Sequence, residues 1–405
     1  MGRRITPAER VKASAPGRNA VAATETQSID NQRLKRERVE RIQAEMKRLG
    51  VGGLYISDAV YLQYVLSAKI PGAKVFVPAT GDPIALVRGR DVGYVAMVHE
   101  RIAAPFYNNT WEPQNDAKIP RFSQGIADLM AQNGAAGERL GIDTLEAPAF
   151  MALLQQGINV TDARPIMEYA KSIKTQDEIT DYRQIGQHYR TTYTAFRDAI
   201  QPGRTEKELA AIVMSTWHQV GGDEVRQLNV CSGEHMNPWR RWPTTRALKA
   251  GELVGIDFHG RSEAGQMGDV SRTFMVGDRP STAQRDLYAR AFDYLDAVTD
   301  LFRAGRPLPE LLASVPKVPD SYRDQLWNYN VAHPIGMTPS GYPMVHPDRP
   351  PVDDVLRTDM VFAIESYFGE KGGELAVKAE HMIRVTDGPP EIFDAQVPQD
   401  PTLRG

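Results

Sequence analysis

The chain has 405 residues, 41% hydrophobic and 24% charged, with a formal net charge of −3. That length exceeds one ordinary core and points to two domains. The near-neutral charge gives no reason to expect a nucleic acid or an anionic membrane as partner. No apolar run approaches the roughly 20 residues that span a bilayer, and no apolar core of a secretory signal follows the basic start MGRR. The single cysteine, Cys231, cannot pair internally, so a reducing compartment, the cytoplasm, is expected.

Residues 1–30 are rich in Ala, Ser, Thr, Arg and Gly without a hydrophobic period, and read as a flexible arm. Leu34, Val39, Ile42, Met46 and Leu49 recur at helical spacing, which predicts a helix over 31–50 stopped by Gly50. A strand (VGGLYISD), a short helix or strand (AVYLQYVLS) and a hairpin of KVFVPAT and PIALVRG around Gly81-Asp82 follow. Strands and helices alternate to residue 165, with a helix at 122–133. This first α/β domain, 31–165, holds no cluster of His, Cys or acidic residues. A structural or dimer-forming role is expected for it.

The second domain, 166–405, opens with two capped helices. Thr175 and Glu178 have capping-box spacing for a helix to about residue 200, and Thr205 starts another to about residue 220. A short strand at 228–231 leads into the loop SGEHMNPWRRWPTTRALKAGEL and a strand at 253–258. Asp257 lies near the end of that apolar strand, where a carboxylate is costly unless paired or bound to a metal. After the turn at 265–268, Asp269 opens a second strand, so a hairpin brings the two aspartates together. Two adjacent carboxylates repel unless a cation lies between them. A helix at 281–303 and a short one at 309–315 follow. His333 lies in VAHPIGM, Glu365 after the apolar run at 360–364, and Glu380 in the strand AVKAEHMIRV, in alternation with Lys378 and Met382. Four carboxylates and one imidazole favour Mn, Fe, Co or Zn over copper. Two such ions about 3.5–4 Å apart activate a water and polarise a carbonyl.

The order Asp, Asp, His, Glu, Glu, with the phrases TTRALKAGELVGIDFHG, DVSRTF and AVKAEHMIRVTDG, resembles the pita-bread superfamily of methionine aminopeptidase, prolidase, aminopeptidase P and creatinase. The resemblance covers about residues 165–390 and, more weakly, the first domain. It implies an α/β (α+β) fold: a creatinase-like N-terminal domain, then a pita-bread domain of pseudo-twofold repeats around curved antiparallel sheet. It also implies a homodimer and two divalent transition-metal ions. Asp257 would hold one ion, His333 and Glu365 the other, and Asp269 and Glu380 would bridge.

Three departures separate the chain from the peptidases. The second histidine of their loop after the ligand histidine is Ser340 here, and the next histidine is His346. The loop before the first ligand reads NPWRRWP where they have a histidine, and their Glu-Pro-Gly at the fourth ligand is ESYFG. NPW, ESY and the run GG…VK.E instead look similar to the dimethylsulfoniopropionate lyases of the superfamily. That branch has an extra Asp two residues after the first ligand, where this chain has His259. Its base position is Pro339 here. By that resemblance His259 would be a further ligand or a replacement base, the plain alternative being a residue that caps the strand.

Trp239, Arg240, Arg241 and Trp242 form the expected substrate loop, able to grip a carboxylate and stack on a cationic or aromatic group. Tyr367 and Tyr342 would shape the pocket, and His188, His218 and His235 read as structural. Three functions follow. The first is a dinuclear hydrolase of a C–N bond in a small molecule or short peptide, Xaa-Pro-peptidase-like, with Glu365 or His346 moving the proton. The second is a metal-dependent lyase, and the third a non-catalytic binding module.

Overall fold

In the computed structural model, residues 28–70, 72–88, 91–103, 117–239, 242–322, 331–339, 341–346 and 354–404 are described. Most of the expected arm, up to residue 27, lies outside them. Asp30 starts helix α1 (Asn31–Leu49) by accepting from the backbone N–H groups of Gln32 and Arg33. Gly50 stops it at φ +63°, a conformation that favours glycine.

The N-terminal half continues through β1 (Gly53–Ile56), α2 (Ala59–Leu66), β2 (Lys74–Pro78), β3 (Ile84–Leu86), α3 (Val92–Val95) and β4 (Ile102–Ala103). Helix α4 (Lys118–Gln132), β5 (Leu140–Ile142), α5 (Ala147–Gln155), β6 (Val160–Asp162) and α6 (Arg164–Ser172) complete it. The strands form one mixed sheet in the order β4-β3-β2-β1-β5-β6. Period-2 alternation divides its side chains between two cores. Leu54, Ile56, Val75 and Val77 pack under α1, α2 and α6, whereas Tyr55, Phe76, Leu140 and Ile142 pack under α4 and α5. The predicted hairpin pairs as Val75↔Ala85. AVYLQYVLS is the helix of its two readings. Helix α6 buries Ile166, Met167 and Ala170 in the N-terminal core.

The C-terminal half is built twice on one plan. Helices α7 (Gln176–Asp198) and α8 (Glu206–Gln219) each begin with the expected capping box. They cover the outer face of an antiparallel sheet of β7 (Gly222–Ser232), β8 (Leu253–Ser262) and β9 (Val270–Met275). Helices α9 (Thr282–Thr299) and α10 (Leu308–Ser314) cover a second antiparallel sheet of β10 (Ala332–Pro334), β11 (Val361–Gly369), β12 (Ala376–Arg384) and β13 (Glu391–Ile392). Strand β7 starts six residues before the predicted one because its first half, GDEVRQ, is polar, part-buried and interrupted by register shifts. Strand β8 likewise runs on through the buried polar stretch HGRS.

The two sheets meet where β9 lies beside β12. The Thr273 hydroxyl donates to the Lys378 carbonyl (2.9 Å) and accepts from the Lys378 N–H (3.1 Å). Arg272, fully buried, donates to the Glu380 carbonyl at 2.5 Å and pairs with Asp394 at 2.6 Å. These bonds fix β12 relative to β9, and so fix one set of acidic side chains relative to the other.

Candidate metal centre

Alternation decides which side chains face the space between the sheets. Val254, Ile256 and Phe258 pack outward under α7 and α8, so Gly255, Asp257 and His259 face inward. On the second sheet Phe362, Ile364 and Phe368 pack outward under α9, which turns Ala363, Glu365 and Tyr367 inward. Glu365 pairs with Glu380, and Tyr367 with Lys378. His333 pairs with Ala363 and stands diagonal to Glu365.

The hairpin end of β8 and β9 is held by two tyrosines of α7. The Tyr189 hydroxyl donates to the Phe258 carbonyl (2.7 Å) and accepts from the Gly260 N–H (2.9 Å), spanning His259. Tyr193 donates to the Val270 carbonyl, just past Asp269. Gly268 lets this happen, since a Cβ there would lie 2.3 Å from the Tyr189 ring. The tip of the hairpin is tied down as well: the Gln266 amide donates to Glu178, and the Met267 N–H to the Gly336 carbonyl.

Seven ionisable side chains converge as a result: Asp257, His259, Asp269, His333, Glu365, Lys378 and Glu380, all buried. They form two groupings that share Asp269. In one, His259 Nε2 lies 3.4 Å from Asp257 Oδ1 and 3.0 Å from Asp269 Oδ1. In the other, His333 Nε2 lies 3.2 Å from Asp269 Oδ2 and 3.2 Å from Glu365 Oε1. Lys378 donates to both Glu365 and Glu380, and Asn229 donates to Asp257 at 3.3 Å.

A cation fits this arrangement. Asp257 Oδ1, both oxygens of Asp269 and Glu380 Oε2 are buried with no hydrogen-bond partner among the described residues, although two imidazoles approach Asp269. Buried carboxylate oxygens are not normally left so. Donor atoms around an ion at 2.0–2.2 Å stand about 3–3.5 Å apart, which matches the spacing in both groupings. Electrostatics give the same sign. Burial opposes protonation of His259 and His333, yet the surrounding carboxylates outweigh it and push both up to about 10. Burial likewise drives Glu380 well above the usual carboxylate range, helped by Glu365 opposite. Burial would raise Glu365 too, but Lys378 and His333 hold it well below that range. The pocket therefore attracts positive charge.

The remaining predicted site residues divide. Trp239 is buried; its ring rests on Gly255, 2.7 Å from where a Cβ would stand, in a cluster with Cys231, Met236, Tyr367 and Ala376. The Tyr367 hydroxyl bonds to Met236 O and Asn237 Oδ1, both at 3.0 Å. Trp239 and Tyr367 thus wall one end of the acidic face. Trp242 is exposed (71%), and Arg240 and Arg241 lie outside the described residues, as does Ser340. His346, half-buried beside the bridge of Ala332 with Val345, is not one of the groups gathered around Asp269. Tyr342 bonds to Asp354 and packs on Tyr169. His235 is a partner of the buried Glu206. Sequence reasoning noted Lys378 only for its alternation with Glu380. That alternation was the signal, because a lysine on the inward face of a buried strand needs acidic partners.

The sequence patterns of known families match most of the chain. That of the creatinase/prolidase N-terminal domain spans residues 38–173. That of metallopeptidase family M24 spans 180–387. The chain belongs to metallopeptidase family M24. Its fold is the pita-bread fold with a creatinase-like N-terminal domain, as the resemblance implied, and it is a metal-dependent enzyme of peptidase type. Among M24 relatives, dimethylsulfoniopropionate lyase DddP of Roseovarius nubinhibens is 25% identical over 300 residues, 72% of this chain and 67% of the lyase. The Xaa-Pro aminopeptidase of Escherichia coli is 25% identical over 194 residues, 47% of this chain and 42% of that protein. In fold, the chain is similar to the Xaa-Pro dipeptidase of Bacillus anthracis, with a TM-score of 0.75 and 19% identity over 90% of this chain and 98% of that one. Among the described residues no helix is long and apolar enough to cross a membrane.

Proposed function

We propose that this M24 member is a dinuclear-metal hydrolase that cleaves a C–N bond in a small substrate, peptide or amide, in the manner of Xaa-Pro peptidases. The observation that carries the reading is Asp269, whose two unpartnered buried oxygens each face a separate imidazole–carboxylate grouping. Asp257, Asp269, His333, Glu365 and Glu380 would hold two divalent ions (Mn, Fe, Co or Zn), which when bound activate a water and polarise the scissile carbonyl.

The protein's own groups supply the rest. Glu365 moves the proton, its other oxygen being held by Lys378. His346 is the alternative carrier. The wall of Trp239 and Tyr367 excludes water and bounds the substrate, and the Trp242 loop with Arg240 and Arg241 takes the substrate carboxylate. A cytoplasmic homodimer completes the reading.

The lyase reading is favoured by the match to DddP, which covers more of the chain than that to the aminopeptidase. One assay separates the two. Metal-loaded protein is offered a panel of Xaa-Pro dipeptides and, separately, dimethylsulfoniopropionate. Release of free proline supports the hydrolase. Release of the sulfide with no peptide cleavage replaces it with the lyase.

A further inference from the structure

We propose that His259 is a ligand of the first cation, so that the two ions occupy chemically matched half-sites, each with one imidazole. The proposal rests on the dinuclear reading above and assigns to His259 the role of ligand, rather than of base or strand cap.

Its geometry is that of His333 repeated. His259 Nε2 faces Asp269 Oδ1 at 3.0 Å and Asp257 Oδ1 at 3.4 Å, while His333 Nε2 faces Asp269 Oδ2 and Glu365 Oε1, both at 3.2 Å. Each grouping is therefore one Nε2 and two carboxylate oxygens, with Asp269 supplying one oxygen to each. Asp269 Oδ1 and Oδ2 and Asp257 Oδ1 have no hydrogen-bond partner among the described residues despite these approaches. Lone pairs aimed at a common centre fit that pattern. The Nε2 of His259 is turned into the carboxylates, and its Nδ1, buried and without a hydrogen-bond partner among the described residues, is left for the test to assign.

The backbone fixes this direction. Inward alternation on β8 puts Asp257 and His259 on one face, and the Tyr189 hydroxyl clamps Phe258 and Gly260 on either side of the ring. The Gly268 N–H donates to the Gly260 carbonyl at 2.9 Å, which sets Asp269 opposite His259. A nitrogen donor moves the first half-site from an oxygen-only set, suited to Mg, Ca or Mn, toward one that also suits Fe, Co or Zn.

The test uses full-length protein loaded with Zn(II) or Co(II). X-ray absorption on the unaltered zinc protein should give an average of one imidazole per zinc; a value of one imidazole for every two zincs would overturn the proposal. His259→Gly should retain one ion per chain after dialysis, with affinity for the second lowered by at least roughly 10–100-fold. His259→Asp, which returns an oxygen donor, should retain two ions but lose half of the nitrogen coordination and shift the Co(II) visible spectrum. Two ions with an unchanged spectrum in both variants would overturn the proposal while leaving the dinuclear reading intact. Absence of metal from the unaltered protein would overturn both.

Discussion

Lys378 holds two carboxylates that would otherwise oppose each other. Glu365 and Glu380 are direct cross-strand partners, both buried, and the lysine between them is 1% exposed. Burial and Glu365 raise Glu380, so Lys378 pairs chiefly with the ionised Glu365, and removing one partner from a buried ion pair costs about 3–5 kcal/mol. Lys378→Met should therefore lower the unfolding free energy of chelator-treated protein by about that amount in urea titrations. Metal reloading should recover most of the loss, because the ions then supply the positive charge. A variant as stable as its parent without metal would show that the buried pair of Lys378 and Glu365 adds no net stability. The same residue shows what the sequence conveys and what it does not. Asp257, Asp269, His333, Glu365 and Glu380 could be read from local phrases and strand alternation. The partnership of Lys378 with Glu365, 13 residues away, depends on a strand register that no local pattern states.

At the scale of elements, the β8–β9 hairpin carries half of the site and α7 sets its shape. The capping boxes, the helical periods and the hairpin itself were legible, since each follows from residues within a few positions. The Tyr189 clamp was not, because it joins positions 69 and 71 residues apart. Tyr189→Phe leaves the buried Phe258 carbonyl and Gly260 N–H without that partner, at a cost of about 1–3 kcal/mol, and should weaken metal retention by loosening His259. Tyr182→Phe is the control. That tyrosine lies on the same helix, stacks on Phe393, and has no partner for its hydroxyl among the described residues. Because that hydroxyl is buried without a hydrogen bond, its removal should leave stability unchanged or raise it. Equal losses in the two variants, by urea unfolding, would show that the hydrogen bonds of the Tyr189 hydroxyl contribute no more than an unpartnered buried hydroxyl does.

Across the whole molecule, one buried polar network ties the N-terminal half to the site. Arg38 of α1 donates to Glu178, which also accepts from Gln266 at the hairpin tip. Asp181 accepts from Ser262 at 2.6 Å beside them. Burial pushes Asp181 up to about 7, against the pull of Ser262 and Arg38. A carboxyl raised in the folded state contributes stability that is complete below its unfolded value near 4 and lost as pH rises through about 7. At about 1.4 kcal/mol per unit, roughly 4 kcal/mol is at stake. Asp181→Asn cannot ionise, so its stability relative to the parent should rise steadily between pH 4 and 8. Parallel stability curves for the two proteins would contradict this.

Metal content of the purified protein, with Asp269→Ala alongside, tests the shared role of Asp269. Because that residue belongs to both groupings, the parent should carry two transition-metal ions per chain after reconstitution, and the variant should lose both rather than one. A parent that binds no Mn, Fe, Co or Zn, or a variant that still holds two ions, would contradict the dinuclear centre.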